Sequence, residues 1–134
     1  MNLTGPVLTE EQLLELPVLT LAYEGDAVWE LLTRTHLCRR GGRPGDLSRA
    51  ATDFVSAPAQ AEAAGRILSR LTDGEAAVFR RGRNARVGGI PKGATPEQYH
   101  AATGLEALFG ALWLSGRQDR AEELFLAAFP AEAE

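Results

Sequence analysis

Two apolar helical stretches, each interrupted by a carboxylate, set the terms on which this chain can fold. In Leu21–Leu32 (LAYEGDAVWELL), Asp26 has Ala22, Tyr23, Trp29 and Glu30 as its helical neighbours, so most of its surroundings are apolar or aromatic. In Tyr99–Ser115 (YHAATGLEALFGALWLS), Glu106 is the only acid or base apart from His100, and its neighbours are Ala102, Thr103, Phe109 and Gly110. Burying a carboxylate costs several kcal/mol unless something positive meets it. Two such acids on two apolar helices point to a shared cation. Magnesium fits, because it takes oxygen ligands and commonly uses one or two carboxylates, with water and substrate phosphate completing its shell. Each acid alone also has a plainer reading. Gly25-Asp26 could be a helix break followed by an N-cap, and Glu106 a core acid paired to an arginine.

The remaining pattern is helical almost throughout. Thr9-Glu10-Glu11-Gln12 is a capping box, opening a short helix that Pro17 ends or kinks. From Val18 the positions Val18, Leu21, Ala22, Gly25, Val28, Trp29 and Leu32 make one buried stripe. Arg39–Gly45 (RRGGRPG) is a turn-rich break, after which Asp46 can cap a helix carrying Leu47, Ala50, Ala51, Phe54 and Val55. Ser56-Ala57-Pro58 either starts a new helix or kinks a continuous one, and Ala59–Leu71 is rich in strong helix formers. Thr72–Glu75 and Thr95–Gln98 are further capping boxes, and Gly116 is a good residue to end the helix carrying Glu106. Arg117–Phe129 reads as a last amphipathic helix. No run alternates with period two, so the expected class is all-α.

At 134 residues the chain is expected to be one domain, 1–134, with a core of its own. Cys38 stands alone, which excludes a disulfide framework and fits a reducing cytosol. No signal peptide is visible, and the longest apolar run, Ala107–Leu114, is far shorter than a membrane helix needs. The expected setting is cytoplasmic, with no membrane partner.

Net charge is −4, which taken alone argues against a polyanion partner. Its distribution argues the other way. Arg34, Arg39, Arg40, Arg43 and Arg49 face only Asp46 in their stretch, and Arg80, Arg81, Arg83, Arg86 and Lys92 form a run with no acid at all. The second run enters Ala85–Ala94 (ARVGGIPKGA), a glycine-rich loop where backbone can approach a phosphodiester closely. It is not a P-loop, since Gly93 follows Lys92 where Ser or Thr would be needed. His36 and His100 lack metal-ligand spacing and Cys38 lacks an evident base, so all three read as structural. Tyr23 and Trp29 read as core or interface residues.

These residues resemble a known family. Tyr23-Glu24-Gly25-Asp26-Ala27-Val28 resembles the signature helix of the ribonuclease III catalytic domain, and Gly104-Leu105-Glu106-Ala107-Leu108-Phe109-Gly110 its second catalytic helix. The block Arg81-Gly82-Arg83-Asn84-Ala85, with the short chain, is similar to the Mini-ribonuclease III branch. The resemblance covers about residues 18–126. It implies an all-α endonuclease fold acting as a homodimer on double-stranded RNA with Mg²⁺ or Mn²⁺. Catalytic and metal-ligand roles fall on Asp26 and Glu106, and the aromatic at the dimer seam falls on Tyr23. The implied biology is maturation of large-subunit (23S) ribosomal RNA precursors, with a ribosomal protein as a further partner. Two departures from the full-length enzymes stand out: Ala22 replaces a glutamate and Thr103 an aspartate, both as in the Mini branch. Glu24 stands where an apolar residue is usual. No separate double-stranded-RNA-binding domain is expected.

The combined expectation is metal-assisted phosphodiester hydrolysis. Asp26 and Glu106 would hold the cation, and Arg80, Arg81, Arg83, Asn84, Arg86 and Lys92 would hold RNA phosphates. Two alternatives belong to other classes. One is a catalytically silent RNA-binding or ribosome-associated module. The other is an all-α nucleotide pyrophosphohydrolase, which usually needs a denser acidic cluster than either helix shows.

Overall fold

A computed structural model describes residues 4–130, and every regular element among them is helical. The ends of the expected 1–134 unit, residues 1–3 and 131–134, lie outside the described residues. The helices are α1 (Glu10–Glu15), α2 (Val18–Arg40), α3 (Pro44–Val55), α4 (Ala57–Ile67), α5 (Asp73–Arg83), α6 (Pro96–Leu114) and α7 (Gln118–Ala128). A single 3₁₀ turn, Leu68–Arg70, follows α4. The capping boxes at Thr9, Thr72 and Thr95 all form, each threonine accepting from the backbone of the third helical residue.

Helix α6 is the axis of the molecule. It is buried on nearly every side between Ala102 and Leu112, with Glu106 the exception. An all-round apolar helix has to be covered on several faces at once, and α2, α4 and α5 all pack against it. Small residues set how closely they come. A Cβ added to Gly25 would lie 1.6 Å from the Glu106 carbonyl oxygen, and one on Gly110 would lie 1.9 Å from that of Leu21. On another side, a Cβ on Gly82 would meet the Gly104 Cα at 2.8 Å. The α2–α6 and α5–α6 contacts are therefore backbone on backbone, and any side chain at these glycines would push the helices apart.

Trp29 anchors the larger core. It is fully buried, meets Phe109 at 4.9 Å and Phe125 at 5.1 Å edge-on, and donates its indole N–H to the Phe54 carbonyl at 2.7 Å. A smaller cluster of Leu13, Leu21, Ala22, Ala107 and Ala111 seats α1 on the other end. Glu75 is buried and accepts from Arg120 Nε and Nη2 at 2.9 Å each, which ties the start of α5 to α7. Burial works to raise the Glu75 pKa, but the Arg120 hydrogen bonds and the Thr72 backbone bond outweigh it and hold it below the ordinary value.

Several sequence expectations need correction. Helix α2 runs unbroken through Gly25-Asp26, so the helix-break reading of that pair is wrong; Gly25 is there for the close approach to α6. Asp46 does not cap α3. Pro44 takes the first helical position and starts the helix earlier, while Asp46 lies in the first turn and pairs with Arg49. Ser56-Ala57-Pro58 starts a new helix, since the Ser56 hydroxyl accepts from the Ala59 N–H at 3.3 Å. Helix α6 ends with Gly116 at φ 79°, as its position suggested.

Candidate active site

The glycine contact that joins α2 to α6 also places the two carboxylates. Gly25 rests on the Glu106 backbone, so the next residue, Asp26, emerges beside Glu106 where the helices cross. The Asp26 carboxylate acts on Glu106 both through its charge and through a side-chain hydrogen bond. Asp26 itself is exposed, contrary to the expectation that it would be hard to solvate. Ala22 and Trp29 face inward, but Tyr23 and Glu30 are exposed, so Asp26 stands at the edge of the buried stripe. A periodic pattern gives the direction of a stripe more reliably than its margin.

Glu106 is only partly accessible. Burial first, then the charge and hydrogen bond of Asp26, push its pKa up to about 8. The group working the other way is Gln60, whose Nε2 donates to Glu106 Oε2 at 3.4 Å. No arginine or lysine figures among the groups that act on it, so the reading of Glu106 as a core acid paired to an arginine fails. Two carboxylates meet at one point with no positive group between them.

That arrangement fits a divalent cation. Among the described residues no group of three or more His, Cys, Asp or Glu side chains could hold a metal. Asp26 and Glu106 offer two carboxylates, the kind of donor set that a magnesium site completed by water and phosphate uses. Thr103 adds nothing to it, since its hydroxyl is turned back to the Tyr99 carbonyl at 3.0 Å.

The Ribonuclease III domain profile matches residues 19–117, which includes both carboxylates. The chain is 48% identical over 116 residues to the Mini-ribonuclease 3 of Symbiobacterium thermophilum, an alignment spanning 86% of this chain and 89% of that one. The chain belongs to the ribonuclease III family, in its Mini-ribonuclease III branch. It is an endoribonuclease. A Mini-ribonuclease 3 from a Thermoanaerobacter species is 40% identical, covering 88% of this chain and 84% of the relative. A crystal structure of a Fusobacterium nucleatum protein superposes with a TM-score of 0.80 at 26% identity, covering 88% of this chain and 95% of that one. Family membership sets aside the pyrophosphohydrolase alternative.

Within this ribonuclease III domain the cationic residues divide. Arg80, Arg83, Asn84, Arg86 and Lys92 are exposed at the end of α5 and in the loop that follows. Arg83 lies 5.8 Å from the centre of the Phe79 ring. Arg81, by contrast, is turned inward and donates Nη2 to the Leu16 carbonyl at 3.3 Å, closing α5 onto the α1–α2 turn. The loop returns to the start of α6, about 15 Å along that helix from Glu106. The structure brings Asp26 and Glu106 together; Arg80 and Arg83 flank Gly82, which packs on Gly104 and Ala107 of α6, while Lys92 lies in the loop that leads back to the start of that helix.

Tyr23 is 82% exposed on α2, one turn from Asp26, and Leu14, Leu19 and Leu31 are exposed nearby in sequence. His36 packs between Phe54 and Phe125, and Cys38 is free and exposed. Among the described residues no helix is long and apolar enough to cross a membrane. Gln60 was not singled out from the sequence. Its signal was there, because on α4 it shares a face with the buried Ala63, Ala64 and Ile67.

Proposed function

We propose that this endoribonuclease hydrolyses double-stranded RNA at a divalent-cation site formed by Asp26 and Glu106. The carboxylate pair with no positive partner carries this reading: it is unfavourable in the free protein and becomes favourable once a cation joins it. When bound, Mg²⁺ or Mn²⁺ supplies Lewis-acid polarisation of a phosphodiester and activation of water. Asp26, on the accessible edge of α2, is the first group that an arriving ion and phosphate meet. Glu106, fixed to the helix crossing below it, supplies the second carboxylate and sets the depth of the site.

Arg80, Arg83, Asn84, Arg86 and Lys92 bind flanking phosphates and hold the duplex in register without reading its bases. Arg81 acts through the fold that supports them. A-form RNA is then recognised by shape and by its 2′-hydroxyls across the minor groove. The exposed apolar side chains of Leu14, Leu19, Tyr23 and Leu31 support a homodimer. A two-fold pairing through Tyr23 would give the assembly two equivalent carboxylate pairs, one for each RNA strand. The chain works as one catalytic domain in the cytoplasm, on the duplexed ends of precursor 23S ribosomal RNA, where a ribosomal protein can accompany the substrate.

The test is incubation of the purified protein with a long RNA duplex, with Mg²⁺ or with chelator, alongside Asp26→Asn and Glu106→Gln. Single-stranded RNA serves as the control. Metal-dependent duplex cleavage, lost in both variants, is the expected result. Cleavage that survives either substitution, or that prefers single strands, would overturn the reading.

A further inference from the structure

An endonuclease site with only two acids needs something else to fix how those acids are presented. Helix α4 supplies a group for this. Gln60 is 3% exposed and stands at the start of a face otherwise made of Ala63, Ala64 and Ile67. A side-chain amide in such a place costs stability unless it is hydrogen-bonded, so its retention calls for a polar partner. Its Nε2 donates to Glu106 Oε2 at 3.4 Å, across 46 residues of sequence. Ser56 fixes where this amide stands, because its hydroxyl caps α4 and its carbonyl accepts from the Gln60 N–H at 2.9 Å.

We infer that Gln60 is a positioning residue: its amide holds one oxygen of Glu106 from the α4 side, so that the carboxylate is aimed at Asp26 and the cation they share. The inference rests on the proposed reading of Asp26 and Glu106 as the cation site. It follows from the direction of approach. Asp26 reaches Glu106 from α2 and Gln60 reaches it from α4, so the carboxylate is gripped between two helices that pack on α6. An amide suits this role better than a third acid or a base. It donates to a carboxylate without adding repulsion, and it does not neutralise the charge that the cation needs. At 3.4 Å the bond is longer than an ordinary N–H···O contact. Catalytic hydrogen bonds of this kind are often long in the free protein and tighten when the site is filled. Groups that orient metal-binding side chains in this way typically control metal affinity by about 10- to 100-fold.

The experiment compares wild type, Gln60→Met, Gln60→Asn and Asp26→Asn. Gln60→Met keeps the length and loses the donor, whereas Gln60→Asn keeps the amide but draws it back by one methylene. Mn²⁺ binding is measured directly by electron paramagnetic resonance, duplex affinity in chelator, thermal unfolding in chelator, and kcat and KM for duplex cleavage. Both Gln60 variants are expected to unfold near the wild-type temperature and to bind duplex as wild type does. Their Mn²⁺ affinity should fall by about 10- to 100-fold and kcat should fall with KM unchanged. If the Gln60 variants bind Mn²⁺ within about threefold of wild type, or lose affinity only in step with their melting temperature, the inference is overturned and Gln60 is a packing residue. A wild type that cuts and binds Mn²⁺ through Asp26 while the Gln60 variants are unaffected removes this inference alone. A wild type that binds no Mn²⁺ removes the cation site and Gln60's role together.

Discussion

Replacing Glu106 by glutamine should stabilise the metal-free protein while disabling it. In the folded chain burial and Asp26 hold the Glu106 pKa up to about 8, against an ordinary value of 4.5. Between those values the folded state keeps a proton that the unfolded state has released. Stability is therefore fully present below about pH 4.5 and falls as pH rises through about 8. At about 1.4 kcal/mol per pH unit the ceiling on this loss is about 5 kcal/mol, and partial access to water brings the expected value to about 1–3 kcal/mol. Glutamine has nearly the same shape, cannot ionise, and can still accept from Gln60. Thermal unfolding in chelator should show Glu106→Gln melting about 3–10 °C above wild type near pH 8.5, with the gap closing near pH 5. Added Mg²⁺ should raise the melting temperature of wild type and leave the variant's in place. Parallel pH profiles for the two proteins, or a variant less stable than wild type near pH 8.5, would refute the claim that the carboxylate pair is strained without a cation.

Other outcomes follow from the same geometry. Gly25→Ala should lose more than about 3 kcal/mol in urea unfolding, because its Cβ would fall 1.6 Å from the Glu106 carbonyl oxygen and force α2 off α6. Arg120→Met should cost about 3–5 kcal/mol near neutral pH by leaving the buried Glu75 carboxylate without its partner. Since the Glu75 pKa lies below its ordinary value, the difference between Arg120→Met and wild type should shrink as pH falls below about 4.5 in acid unfolding. Arg83→Ala and Lys92→Ala should each weaken duplex binding in chelator and flatten the dependence of log K on log salt by about one; an unchanged slope would exclude them from the interface.

The sequence disclosed the two carboxylates because each interrupts an apolar helix, a conflict that shows without any tertiary information. The helical class was legible for the same kind of reason, since the period persists through every segment and three capping boxes mark the starts of helices. What stayed hidden depends on where helices cross. A glycine before an aspartate suits a helix end and a close approach equally well, and only the contact of Gly25 with the α6 backbone decides between them. Asp26 is exposed because it sits where the stripe on α2 ends, and periodicity does not locate that margin. Arg81 reads like its neighbours Arg80 and Arg83 in the chain, yet its rotation about α5 turns it toward Leu16. Gln60 and the Glu75–Arg120 pair depend on partners 46 and 45 residues away, which no local pattern displays.

The most direct test is diffraction from crystals soaked in Mn²⁺, with data collected to locate the anomalous scatterer. A peak is expected within ligand distance of the Asp26 carboxylate and beside Glu106, absent from crystals of Asp26→Asn. Full occupancy at some other place, with no peak at the α2–α6 crossing, would contradict it.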